Sequence, residues 1–199
     1  MKQMLLCILV MALATQAAAQ KIGVLPFEDA SGVGEQFGEN VAKFIRSEFL
    51  KNKTITPKFI PFKPKEGEPM VVDLEKAVEL GKKNGVEYVV IGTILEAEAN
   101  SSSSGVGGIN VLGQSIGSSL RTVSATITLQ GDLISVRSGT LVESFRVEGS
   151  KTEASVGADV STQWGSVSSD NNSDTSPNAK AIREAVEKLV EQMTEKLKQ

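Results

Sequence analysis

The run Val86–Leu95, VEYVVIGTIL, constrains the fold most, because it is apolar almost without a break, whereas a strand with one wet face alternates. It is expected as a central strand covered on both faces, which requires helices on both sides of the sheet. The preceding sequence supplies them. Lys21–Phe27 (KIGVLPF) reads as a buried strand ending near Pro26, and Glu28–Gly34 (EDASGVG) as a loop. From Glu35, Phe37, Val41, Phe44 and Ile45 recur at helical spacing, with Phe49 at the edge of the stripe. Glu48 falls in the same stripe, which predicts a frayed or surface-exposed last turn. Thr54–Phe62 (TITPKFIPF) is β-branched but interrupted by Pro57 and Pro61, the pattern of an edge strand. Asp73 is the expected N-cap of a second helix, with Leu74, Ala77, Val78 and Gly81 facing inward and Asn84-Gly85 ending it.

Beyond the central strand the character changes. Ser101–Ser119, SSSSGVGGINVLGQSIGSS, has no charge and mixes Ser and Gly with Val106, Ile109, Val111, Leu112 and Ile116, too apolar for a linker and too small for a core strand. Arg121–Leu133 alternates Val123, Ala125, Ile127 and Leu129 against Ser124, Thr126, Thr128 and Gln130; Leu141–Gly149 follows the turn signal Arg137-Ser138-Gly139 as a hairpin arm. A second Ser-rich stretch, Lys151–Ser176, alternates Ala154, Val156, Ala158, Val160 and Trp164 with polar residues. Ser176-Pro177 forms an N-cap and N1 pair for a last helix carrying Ile182, Val186, Leu189, Met193 and Leu197 on one stripe. The expected fold is a single α/β domain, β-α-β-α-β followed by a β-hairpin and a C-terminal helix. Two Ser/Gly-rich inserts, about 97–120 and 151–176, are able to form extended hairpins.

Lys2, the apolar run Met4–Leu13 and Ala17-Ala18-Ala19 read as a cleavable secretory signal over residues 1–19, leaving 20–199 as the domain. The run is well short of the roughly 20 residues that span a bilayer as a helix. Cys7, the one cysteine, lies inside the run rather than at its end, so acylation as a lipoprotein is not expected. With no histidine in the chain and no cysteine past the signal, disulfides, Cys/His metal sites and His- or Cys-based catalysis are excluded from the mature domain. The 24 acidic and 21 basic residues, without a basic run, make nucleic acid a poor partner.

The element order resembles the CsgG family, the curli-secretion channel of the outer membrane. The residues carrying the resemblance are KIGVLPFEDASG, ELGKKNGVEYVVIGTI, Gly105-Val106-Gly107 and the hairpin DLISVRSGTLV (Asp132–Val142). More loosely, the chain resembles the N-terminal domains of TolB-like periplasmic proteins and penicillin-binding-protein activator lipoproteins. The curli-channel resemblance implies that two segments of each subunit extend as β-hairpins and that a ring of subunits closes one barrel. Ser101–Ser119 with its flanks corresponds to the first hairpin and Lys151–Ser176 to the second. A barrel strand takes about 9–11 residues, which Arg121–Gly131 and Glu153–Gln163 supply. At most about four strands per chain fall short of the roughly eight of the smallest barrels, so any pore must be a homo-oligomer. Three features depart from the family: the polar arm Ser168–Thr175, a short Glu28–Gly34 loop from which no constriction residue carries over, and the missing acyl anchor.

Gly32-Val33-Gly34 with Gly38, between a strand and a helix, resembles a phosphate-binding pattern, but its spacing favours a turn with close helix packing. Asp170–Asp174 starts like a calcium loop and then lacks the glycine and closing glutamate, which favours a solvated loop. Glu96 and Glu98 share a strand face, read as solvated. No spacing singles out a catalytic constellation, a cofactor or a metal site. The residues expected to contact a membrane or partner are Val106, Ile109, Val111, Ile116, Val156, Val160 and Trp164. Trp164 suits an interfacial aromatic belt or a contact surface equally. The leading expectation is an exported CsgG-like protein of the periplasm or outer membrane that assembles or supports a secretion or transport complex, without chemistry of its own. It would act as a homo-oligomer with a protein partner or secreted cargo. The alternative is a soluble periplasmic adaptor whose inserts order on a protein partner.

Overall fold

The computed structural model describes residues 19–64, 71–111, 114–156 and 176–199. Its elements are β1 (Gln20–Val24), β2 (Glu28–Asp29), α1 (Glu35–Phe49), β3 (Ile55–Phe59), α2 (Leu74–Asn84), β4 (Tyr88–Val111), β5 (Gln114–Ser135), β6 (Thr140–Val156) and α3 (Pro177–Leu197). They build one mixed sheet in the order β3-β1-β4-β5-β6, with β2 beside β4. β1 is parallel to β3 and β4, while β4, β5 and β6 form an antiparallel meander. Pro57 lies opposite Ile22 on β3, an edge position where its missing N–H costs no ladder bond to a further strand.

The continuous apolar run at the start of β4 follows from two cores. Val90 and Ile94 join Phe37, Val41, Ile45 and Phe49 of α1 and Ile182, Val186, Leu189 and Met193 of α3 on one face. Val89 joins Leu25, Ile60, Ala77, Ile134 and Val136 on the other, under α2. Two glycines let the helices ride close to the sheet. A Cβ on Gly38 would stand 1.8 Å from the Phe27 carbonyl oxygen, and one on Gly81 2.5 Å from Val136.

The capping residues act as the sequence suggests. The Asp73 carboxylate accepts from Lys76 N at 2.7 Å, Gly85 ends α2 in the left-handed conformation, and Ser176 Oγ accepts from Ala179 N at 3.2 Å. Leu74 is the exception: it is 40% exposed rather than inward, at the first position of α2 before the helix meets the sheet. The end of α1 is not frayed, since Phe49 is fully buried there. Glu48 sits half-buried at the margin of α1 and α3, where Lys51 pairs with it at 2.6 Å and approaches Glu187 at 3.9 Å. The expected loop at Glu28 opens instead with β2, two residues pairing with Thr93 and Ile94, too short to leave a periodic trace in sequence.

Candidate functional site

β4 and β5 continue well past the helices as one hairpin. Their ladder runs from Tyr88–Ser135 to Val111–Gln114, and β6 follows β5 as far as the pair Leu120–Val156. The first insert is therefore strand throughout its described length, continuous with the central strand of the domain.

Antiparallel partners share a face, so the register sorts the sheet into two phases. The inner phase contains Ala97–Ile127, Ala99–Ala125 and Ser101–Val123 on β4 and β5, with Val147 and Gly149 on β6. Beside the domain this phase is apolar: Ala125, Ile127 and Leu129 are buried in the core that includes α3, and Val123 is buried next to them. The outer phase contains Glu96–Thr128, Glu98–Thr126 and Asn100–Ser124. It is polar, with Glu96 and Glu98 exposed, Thr128 Oγ1 donating to Glu96 at 3.3 Å and the Ser124 and Thr152 hydroxyls 3.0 Å apart.

Past Ser101–Val123 the two phases exchange character. The inner positions become Ser103–Arg121, Gly105–Ser119 and Asn110–Ser115, with Ser155 on β6. The outer positions become Ser104–Leu120, Val106–Ser118, Ile109–Ile116 and Val111–Gln114, with Ala154 and Val156 on β6. Val106 and Ile109 are three residues apart and would fall in opposite phases of a regular strand. The irregularity between them, at Gly107-Gly108, resets the phase. Val106, Ile109, Val111, Ile116 and Val156 thus all occupy outer-phase positions. Val160 and Trp164 lie outside the described residues, as do the polar arm Ser168–Thr175, the calcium-like Asp170–Asp174 and the signal segment through residue 18.

This register corrects one expectation. Arg121–Gly131 does not offer its apolar alternation to a membrane, because that face is buried in the domain core with α3; the return arm of the hairpin is Gln114–Arg121. α3 is also tied to β6 by polar contacts: Lys180 pairs with Glu153, Lys188 Nζ donates to the Glu148 carbonyl at 2.8 Å, and Lys196 pairs with Glu143 at 2.8 Å. Lys188 also donates to Glu184, and that hydrogen bond holds the Glu184 carboxyl below the usual glutamate range.

Two strand edges are unpaired among the described residues. Among the described residues, β4 pairs with β1 through Val90 and with β2 at Thr93–Ile94, and past that point only with β5. β6 pairs only with β5. Among the described residues the three-stranded extension therefore has one unpaired edge on each side.

Other candidates close down. The Asp29 carboxylate accepts from Ser31 N at 3.0 Å, from the Ser31 hydroxyl and from Gly34 N. A carboxylate already occupies the glycine loop before α1, where a bound phosphate would meet its charge. The cavity lined by Pro26, Glu28, Ile91, Thr93 and Asp132 holds about 150 Å³, below the ~300 Å³ at which ligand sites begin, while larger hollows, about 630 Å³ beside Val86 and Val136 and about 520 Å³ beside Lys51 and Glu191, lie open at the surface. Among the described residues no three His, Cys, Asp or Glu side chains gather as a metal site, and no helix is long and apolar enough to cross a membrane.

Fold and extension together define an α/β domain that carries a long, phase-inverted β-hairpin. The chain belongs to the CsgG family, the curli production assembly/transport component, whose model matches residues 66–199. That membership makes it a transport- and assembly-related protein of the periplasm or outer membrane. No curated protein matches it by sequence. Among solved structures it is similar to CT253 from Chlamydia trachomatis, at 13% identity and TM-score 0.52 over 88% of this chain and 96% of that one. It is also similar to the PelC dodecamer from Paraburkholderia phytofirmans, at 11% identity and TM-score 0.45 over 89% and 88%. The lipoprotein GNA1162 from Neisseria meningitidis matches at 15% identity and TM-score 0.41 over 73% and 90%. The likeness to CT253 is one of fold.

Proposed function

We propose that the chain, exported by residues 1–19 as a cleaved signal, assembles as a homo-oligomer in which the β4–β5 hairpins form a shared transmembrane barrel for a secretion or transport complex. The observation that carries this reading is the phase inversion. A barrel wall needs one apolar and one polar face over about 9–11 residues. Past Ser101–Val123 each arm offers about ten residues, or ~34 Å at strand rise, with its apolar positions in one phase. A soluble sheet has no need to move its apolar phase to the side away from the helix that covers it.

The two free edges support the same reading. Unpaired strand edges invite pairing with another chain, and within lipid every backbone group must be paired. Joining the β4 edge of one copy to the β6 side of the next is a head-to-tail contact, which generates a ring when the rotation closes. Three described strands are too few for a barrel in one chain. The outer positions Val106, Ile109, Val111, Ile116 and Val156 then meet lipid, and the α/β body remains in the periplasm.

The test is size and conductance of the exported chain. Ring-shaped oligomers in detergent and ion conductance in planar bilayers support the pore. A monodisperse, detergent-independent monomer without conductance refutes it and favours a soluble adaptor.

A further inference from the structure

The phase inversion also assigns the pore its inner wall, and with it a charge preference. We infer that the mouth of the pore on the α3 side of the sheet is cationic and selects anions. This inference rests on the barrel reading above.

The inner phase runs continuously from the face that α3 covers into the polar positions of the tip. If the outer phase meets lipid, the inner phase meets water. At the junction, the inner positions of β6 are Lys151, opposite Ala125, and Glu153, opposite Val123. The Lys151 side chain is exposed and close enough to Glu184 on α3 to influence its carboxyl. Glu153 is already paired with Lys180, and Glu184 with Lys188, so both nearby carboxylates are neutralised by lysines of α3 itself. The register adds Arg121 at an inner position one pair beyond Val123. Each subunit therefore places Lys151 and Arg121 at inner positions four residues apart along the meander, on either side of the Glu153–Lys180 pair. Repeated around a ring, such residues form the basic collar that favours anions. Apart from Glu153, which Lys180 neutralises, the acidic residues of this part of the sheet, Glu96, Glu98 and Glu148, stand in the opposite phase.

The experiment is a reversal-potential measurement on the exported, processed chain in planar bilayers, with a KCl gradient. The unsubstituted pore should favour chloride over potassium. Lys151→Glu, at an exposed position, and the double variant Lys151→Glu/Arg121→Glu should each lower that preference, the double variant by about twofold or more in permeability ratio. Glu98→Lys, in the outer phase, should leave it unchanged. A conducting pore that prefers potassium, that ignores Lys151→Glu, or that responds to Glu98→Lys instead overturns the lumen assignment while leaving the pore in place. Absence of any conductance from the unsubstituted chain overturns the barrel reading and this inference with it.

Discussion

Gly149→Ala should loosen the contact between α3 and the sheet more than any other single-methyl change on β6. The added Cβ would stand 2.1 Å from the Ala181 carbonyl oxygen, 2.6 Å from Ala185 N and 3.0 Å from Ala185 Cβ. Two of these are helix backbone, which cannot rotate away as a side chain can. The helix must retreat by about 1 Å before the nearest contact becomes tolerable, in a core packed as densely as an organic crystal. Ile182, Val186, Leu189 and Met193 move with it. Overpacking of this kind costs about 1–3 kcal/mol, or a melting temperature lower by ~2–12 °C for a domain of this size. Thermal unfolding followed by circular dichroism measures it. Gly131→Ala is the internal comparison, because its Cβ would meet only the side-chain ends of Met193 and Leu189, at 2.9 and 3.0 Å, which can shift. Gly149→Ala should therefore be the more destabilising of the two. Equal melting temperatures for Gly149→Ala and the parent would show that α3 does not sit on β6 at this spacing.

Within the body, Ile127→Ala should cost about 2–5 kcal/mol in urea unfolding, since Ile127 is fully buried, whereas Thr126→Ala on the opposite face should stay near ~0.5 kcal/mol. Acid should also weaken the fold. Hydrogen bonds from Lys43 and Lys188 lower the folded-state pKa values of Glu39 and Glu184. Their contribution is present above the ordinary value of 4.5 and is lost as pH falls through the lower folded-state values. Both pairs are near the surface, so each is worth under about 1 kcal/mol, and Glu184→Gln should reduce the acid-induced drop in urea midpoint without removing it.

The body of the fold was legible because its signals are local. The helical stripes of α1 and α3, the caps at Asp73 and Ser176, and Pro57 of β3 each report a structure formed by neighbouring residues. The phase inversion was not legible, because alternation reports that one face of a strand is buried and is silent on what buries it. Val123, Ala125, Ile127 and Leu129 alternate as a barrel strand would, yet Ala125, Ile127 and Leu129 share a core with α3, which begins more than forty residues later. Val106 and Ile109 have the wrong spacing for one strand face until the Gly107-Gly108 irregularity is known. Glu48 was half legible: a carboxylate in the stripe predicted a frayed or surface-exposed last turn, and the turn is formed at the surface, with Lys51 beside Glu48 at the margin of two helices.

The most direct measurement is cysteine accessibility along the hairpin of the conducting oligomer. Cys7 is the chain's one cysteine, so a Cys7→Ser background leaves each introduced thiol alone. Single cysteines at Ser103, Gly105, Asn110 and Ser119 should react with a charged, membrane-impermeant thiol reagent and reduce the current. Cysteines at Val106, Ile109, Ile116 and Leu120 should be protected, with the change of phase falling at Gly107-Gly108. Equal reaction at both sets, or an alternation that runs through Gly107-Gly108 without a reset, would contradict the phase-inverted barrel wall.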